Sequence, residues 1–251
     1  MAGHSHWAGI KYKKARVDAA RGKLWSKLAR NITVAAKTGG GDPAANPRLR
    51  LAVEKARQAN MPRDSIERAI KKGTGQLAGE AYEEVIYEGY GPGGVAVMCQ
   101  ALTDNRYRTG PEIKWIFESR GGNLGSAGCV AYLFERKGLL TVAADDADEE
   151  QLLEITAEAG ADDLRRTGQL YEITCPPESF ERVSRALQDA EIKTQLAEIS
   201  MVPKTVVPID ADVGKKVLDL IEQLQDHDDV QNVYSNFEVP DAVMAQLAEQ
   251  Q

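Results

Sequence analysis

Aromatic rings set among cations mark the first 30 residues, where Trp7, Tyr12 and Trp25 are interleaved with Lys11, Lys13, Lys14, Arg16, Arg21 and Lys23. Gly3 and Gly9 allow the leading stretch to bend. An aromatic face stacks on a nucleobase while Lys and Arg neutralise phosphates, so the mixture suits single-stranded or irregular RNA as well as a DNA groove. The competing reading is a solvated helix face with Trp25 in a core. His4 and His6, spaced as H-x-H, would be metal ligands in a nuclease or hydrolase. No Cys lies nearby and the nearest acid is Asp18, so contact with phosphate or base is the better reading.

Other stretches offer less chemistry. "LTDNRYRTG" puts Asp104 or Asn105 at a helix N-cap with Arg106, Tyr107 and Arg108 beside it, a second contact surface or simply an exposed first turn. "GYGPGG" lacks the Lys and the following helix of a phosphate-binding loop and is expected to be a hairpin turn. "GGNLGSAG" could present backbone N–H groups to an anion, although a flexible loop is the commoner meaning. The acids Asp145, Asp146, Asp148, Glu149, Glu150, Glu154 and Glu158 read as a solvated face that would repel a phosphate backbone. No Ser/His/Asp arrangement, Cys-His set or tuned carboxylate pair stands out, so no catalytic residue, metal or cofactor is expected.

The elements that must position these residues carry opposite charges. Residues 1–75 hold 17 Lys plus Arg against 5 Asp plus Glu, a net of +12, and the rest of the chain is -19, which gives the overall -7. Such asymmetry points to polyanion binding by the basic part. Cys99, Cys129 and Cys175 are far apart and form no C-x-x-C pair, which fits a reduced cytosol, and no apolar run approaches a membrane span or a secretory signal. A cytoplasmic protein is expected.

From Lys13 to Lys37 the apolar residues Val17, Leu24, Leu28, Ile32 and Ala35 recur at helical spacing, and three glycines end the stretch. At ~100° per residue, Arg16, Lys23, Lys27 and Arg30 fall in an arc of about 60° away from that stripe, so one face can pack while the other meets phosphates. Asn46 and Pro47 open a second helix that carries Leu49, Val53 and Ala56 inward, and Asp64 with Glu67 forms a capping-box pattern for a third, Ile66 to Lys72. Strands follow at Val85 to Tyr90, Val95 to Leu102 and Val130 to Phe134, with a helix from about Arg108 to Ser119. The order β-α-β-β-α-β then covers Leu139 to Met201, if a short strand lies near Asp163 to Thr167. A helix near Val213 to Leu224 and a strand near Val230 to Phe237 would complete the sheet begun at residue 85.

The string "AGHSHWAGIKYKKARVDAARGKLWSKLARNITVAAKTGGGDP", followed in order by "YEGYGPGGVAVM", "LTDNRYRT", "GGNLGSAGCVAYLF" and "AEISMVPKTVV", resembles the YebC/PmpR family over nearly the whole chain. The resemblance implies an N-terminal helical bundle and two α/β domains of ferredoxin-like character, one inserted in the other. It also implies a non-enzymatic regulator. Bacterial members are named probable DNA-binding transcriptional regulators, while the mitochondrial branch activates synthesis of a cytochrome oxidase subunit, which points to the ribosome and to relief of stalls at proline runs. Here Trp25 stands where a phenylalanine is common, Cys129 replaces a usual small hydroxyl residue, and Gly110 and Pro111 interrupt the start of the "NRYRT" helix, where the proline is expected to disturb the first turn but not the binding surface.

The expected fold is therefore α+β. The basic domain spans 1–78, the middle α/β domain 79–136 plus 205–239, the inserted acidic domain 137–204, and the tail 240–251. The expected partner is nucleic acid, either DNA or ribosomal RNA with the ribosome, and no membrane; a metal-dependent nuclease is the remote alternative. Expected contacts are His4, His6, Trp7, Lys11, Tyr12, Lys13, Lys14, Arg16, Arg21, Lys23, Lys27 and Arg30, with Arg106, Tyr107 and Arg108 as the second surface.

Overall fold

A computed structural model describes residues 21–238, with Arg21 and Glu238 described by backbone alone. The expected helix from Lys13 to residue 20 and the tail 240–251 lie outside the described residues. The chain divides into two compact units, residues 132–206 and the flanking 21–131 with 207–238.

The flanking unit opens with three helices: α1 (Arg21–Gly39), α2 (Pro47–Gln58) and α3 (Arg63–Gly73). Their apolar faces meet in one core of Leu28, Ile32, Ala35, Leu49, Val53, Ala56, Met61, Ile66 and Ala69. Leu24 stays 38% exposed, so the packed stripe of α1 begins one turn later than its periodicity suggests. Gly40, at φ +86, provides the left-handed turn that stops α1.

Asn46 caps α2 as its sequence predicts, accepting from Leu49 N at 3.1 Å. Its amide does more than cap: Nδ2 donates to Ala35 O at 2.8 Å and Gly40 O at 2.9 Å, tying the end of α1 to the start of α2. Asn46→Ala is expected to lower stability by about 2 kcal/mol, above the ~1 of an ordinary cap, because two carbonyls lose their donor as well. Urea unfolding measures it, and a loss below ~0.5 kcal/mol would show that water replaces these bonds.

The capping box of α3 does not form. Pro62 is the N-cap residue, at φ -58, with no side-chain cap bond, and its carbonyl receives Ser65 N and Ile66 N. Asp64 therefore sits inside the first turn, where a carboxylate favours the helix dipole. Glu67 turns to Arg63 instead, 2.8 Å away across one helical turn.

Strands β1 (Glu83–Tyr90) and β2 (Ala96–Thr103) pair antiparallel from Glu83↔Thr103 to Tyr90↔Ala96, and "GYGPGG" is their hairpin turn with Gly93 and Gly94 at positive φ. Helix α4 (Arg106–Ser119) follows and runs continuously through Pro111. Asn105 is its cap, accepting from Tyr107 N and Arg108 N, so the first turn is sound. The two-residue strand β3 (Asn123–Leu124) pairs with β1.

The strand expected at Val130 to Phe134 is a short 3-10 turn over Ala131–Leu133, and β4 begins only at Phe134. Apolar content there reflects burial of Val130 rather than strand pairing. After the intervening unit come β8 (Val207–Pro208), α7 (Ala211–Asp226), β9 (Val230–Ser235) and β10 (Phe237–Glu238). Strand β9 pairs antiparallel with β2, giving the sheet order β3-β1-β2-β9. Ile113 and Phe117 of α4 and Val217, Leu220 and Leu224 of α7 pack against Val97, Cys99 and Val233.

The unit 132–206 holds β4 (Phe134–Ala143), α5 (Glu149–Glu158), β5 (Asp163–Thr167), β6 (Leu170–Cys175), α6 (Phe180–Asp189) and β7 (Thr194–Pro203). Its antiparallel order β5-β6-β4-β7 is that of a ferredoxin-like sheet. Asp148 caps α5, and the remaining acids of this stretch are exposed or half-exposed. Thr141, Glu172 and Ser200 are nevertheless buried, and burial pushes the Glu172 carboxyl up to about 7 against the pull of Arg165. The architecture as a whole is the expected α+β one, helices first and two four-stranded antiparallel sheets after.

Candidate nucleic-acid interface

Of the expected contacts, His4, His6, Trp7, Lys11, Tyr12, Lys13, Lys14 and Arg16 lie outside the described residues, as does the side chain of Arg21. Lys23, Lys27 and Arg30 are described, on α1, and they do not stand free. Lys23 Nζ lies 3.2 Å from Asp228, Lys27 Nζ donates to Gln225 O at 2.5 Å, and Arg30 lies 3.0 Å from Asp229 and donates to Asp228 O. Asn31 adds a bond to Gln231 at 2.8 Å. The described part of the arc that its spacing assigns to phosphates, Lys23, Lys27 and Arg30, is thus turned onto the end of α7 and the acidic loop that leads to β9. Helical periodicity locates a polar face but carries no record of a loop some two hundred residues away.

Asp229 is the centre of that contact. Its carboxylate is 2% exposed and accepts from Thr109 Oγ1 at 2.6 Å and Arg108 at 2.7 Å, with Arg30 on the other oxygen. Burial alone would push its pKa up, but the hydrogen bonds from Thr109 and Arg108 and the charges of Arg108 and Arg30 outweigh it and hold the group below the usual carboxylate range. Beside it, His227 Nδ1 accepts from Asp229 N, which leaves Nε2 to meet Glu112 at 3.0 Å.

The second surface is differently disposed. Arg106 lies 3.9 Å from Glu83 and Arg108 serves Asp104 and Asp229, whereas Tyr107 is 91% exposed. Trp115, which sequence reasoning passed over, is 66% exposed on the same helix, two turns on. Tyr107, Pro111, Lys114 and Trp115 share an arc of about 100°, opposite the buried Thr109, Ile113, Ile116 and Phe117. The signal was available: a Trp at the position eight residues after a Tyr falls on the same helical face. Trp115 also borders a cleft of about 800 Å³ together with Arg30, Arg108, Glu112, His227 and Asp228.

The last glycine of "GGNLGSAG", Gly128, and the two residues Val130 and Ala131 beyond it do bind an anion, and the anion is the chain's own. Glu88, 5% exposed on β1, accepts from Gly128 N at 2.6 Å, Val130 N at 2.9 Å and Ala131 N at 2.7 Å. Burial raises its pKa, but the three backbone N–H groups lower it further, so the carboxylate stays charged. The loop is a folded structural feature, with no room for an external phosphate on those donors.

Among the described residues no group of three or more His, Cys, Asp or Glu is placed to hold a metal ion, and no helix is long and apolar enough to cross a membrane.

Residues 5–76 match the family model described as the TACO1/YebC protein N-terminal domain, and residues 82–237 match the one for the TACO1/YebC second and third domain. Similar proteins include a probable transcriptional regulatory protein of Natranaerobius thermophilus, 56% identical over 247 residues that span 97% of this chain and 99% of the relative. Another of that name, from Carboxydothermus hydrogenoformans, is 52% identical and spans 96% of this chain and all of the relative. In structure the chain resembles the conserved hypothetical protein Aq1575 from Aquifex aeolicus, with a TM-score of 0.84 and 52% identity over 94% of this chain and 98% of that one.

Proposed function

The chain belongs to the TACO1/YebC family, and we propose that it is a cytoplasmic, non-enzymatic regulator of gene expression that acts by binding nucleic acid. The observation that carries this reading is the segregation of charge: the +12 excess is confined to residues 1–75, which include the whole helical bundle. An excess of that size on one small module exceeds what solubility needs and creates a field that draws polyanions. The relatives' name, probable transcriptional regulatory protein, supports a regulator. The contacts we assign in the leading segment are His4, His6, Trp7, Lys11, Tyr12, Lys13, Lys14, Arg16 and Arg21. Lys23, Lys27 and Arg30 join them only to the extent that the acidic loop releases them.

A specific observation favours RNA over duplex DNA as the target. Tyr107 and Trp115 expose large aromatic faces about 12 Å apart along α4, with Arg106, Arg108 and Lys114 beside them. Unpaired bases stack on such rings, whereas bases inside a duplex are not available to them. Ribosomal RNA, rich in loops, is the matching source. The test is fluorescence anisotropy with labelled single-stranded RNA and duplex DNA across a salt series, together with sedimentation with ribosomes at physiological salt. Binding to RNA with a steep salt dependence and co-sedimentation are expected. No binding to either nucleic acid at moderate salt would overturn the reading. One DNA fragment preferred by ~10³ over scrambled sequence, with no ribosome association, would return it to transcription.

A further inference from the structure

The three described cations of the predicted anchor on α1 are held by Gln225, Asp228 and Asp229, so the phosphate contacts of the folded bundle must be sought elsewhere. Its other cations divide sharply. Arg48 pairs with Glu84 and Arg63 with Glu67, and Arg50 and Lys55 also have partners. Arg68, Lys71 and Lys72 on α3 are exposed and, like Arg57 in the last turn of α2, make no ion pair or hydrogen bond through their side chains among the described residues.

These three lie in an arc of about 100°, centred opposite the buried Ile66 and Ala69. Asp64, near the other end of the helix, is the one acid of α3 within the arc. Lys37, in the last turn of α1, extends the patch, because the ends of α1 and α3 meet there: a side chain at Gly73 would run into Thr33 O and Ala36. Two lysines in a last turn also offset a helix dipole, which is the bland explanation for Lys71 and Lys72. It does not account for Arg68, a turn earlier, nor for Lys37 joining them from another helix.

Resting on the nucleic-acid reading above, we propose that the exposed face of α3, Arg68, Lys71 and Lys72 with Lys37, is the bundle's contact with the sugar–phosphate backbone. The role of the α1 cations is then to hold the bundle to the acidic loop. Cations that are already solvated and unpaired meet phosphate without first giving up a carboxylate, so this face binds at no loss to the fold.

The experiment compares the full chain with the triple variant Arg68→Gln, Lys71→Gln, Lys72→Gln and with Lys215→Gln, an exposed cation of α7 outside the patch, using a labelled single-stranded RNA of about 20 nucleotides. Removing three phosphate contacts should flatten the slope of log K against log salt by roughly 2 and weaken binding at least about tenfold at low salt. Lys215→Gln should leave the slope nearly unchanged. Circular dichroism is expected to be unaltered in both, and if the triple variant does not fold, Arg68→Gln and Lys71→Gln singly should each flatten the slope by roughly 0.7. Wild-type protein that binds while the α3 variants keep its slope and affinity overturns this proposal alone. Wild-type protein that does not bind overturns the broader reading.

Discussion

Asp229→Ala is expected to destabilise the unit formed by residues 21–131 and 207–238 by about 3–5 kcal/mol, the range for breaking a buried charge cluster from one side. The carboxylate is 2% exposed and serves Thr109, Arg108 and Arg30 at once. Its removal leaves the hydroxyl of Thr109, itself fully buried, without its shortest partner, and leaves two guanidinium groups facing each other. Because Arg30 belongs to α1 and Arg108 and Thr109 to α4, the loss should also free the bundle from the sheet. Amide hydrogen exchange along α1 should then rise before the sheet core opens. Asp228 provides the control, since its side chain is 71% exposed and its pair with Lys23 is solvated. Asp228→Ala should change stability by less than ~1 kcal/mol. Equal effects at the two positions would mean that net charge, and not the buried cluster, holds the loop.

The second large effect belongs to Glu88. Glu88→Ala leaves three backbone N–H groups, at Gly128, Val130 and Ala131, without an acceptor, and at least ~3 kcal/mol of stability should go with them. Glu88→Gln retains one carbonyl acceptor and should lose less than Ala, but it still costs stability because its amide end can only donate where the loop offers only donors. The pH dependence follows from the direction of the shift. The folded carboxyl titrates below its unfolded value of ~4.3, so its contribution is complete above that pH and disappears as pH falls through the folded value. Asp229 is shifted the same way. The stability gap between wild type and Glu88→Gln should therefore be constant from pH 8 to about 5 and narrow on further acidification. A gap independent of pH down to 3 would show that shape, not charge, secures the loop.

Local chemistry was legible in the sequence and long-range pairing was not. Asn46 followed by Pro47 announces a helix start because both act within one turn, and α2 begins there. The Asp64 and Glu67 pattern misled because Pro62, two residues earlier, fixes the chain direction before Asp64 can cap. The strand assigned to Val130–Phe134 failed for a related reason: apolar residues are buried there as a turn, and periodicity over five residues does not separate the two. For the candidate site the split is sharper. Charge segregation and the exposed first turn of α4 could be read directly. The engagement of Lys23, Lys27 and Arg30 could not, since it depends on Gln225, Asp228 and Asp229. Nor could the carboxylate that fills the "GGNLGSAG" loop, supplied from a strand 40 residues upstream.

The pairing of β9 with β2 sets a schedule for the growing chain. Ala96 to Thr103 leaves the ribosome long before Val230 to Ser235 exists, and the whole of 132–206 is made in between. At about 5–20 residues per second, the roughly 130 residues that separate the two strands represent some 6–26 s of synthesis. Throughout that time β1 and β2 can form their hairpin, but the outer edge of β2, Val97 to Ala101, has no neighbour. An open, apolar strand edge is a template for the wrong partner. The autonomous ferredoxin-like topology of 132–206 suits it to fold during this interval, so that the late strand is delivered beside a waiting edge instead of dangling from an unstructured chain. Nascent protein halted before residue 230 should accordingly be aggregation-prone, and emergence of Val230 to Ser235 should be the step that makes it safe.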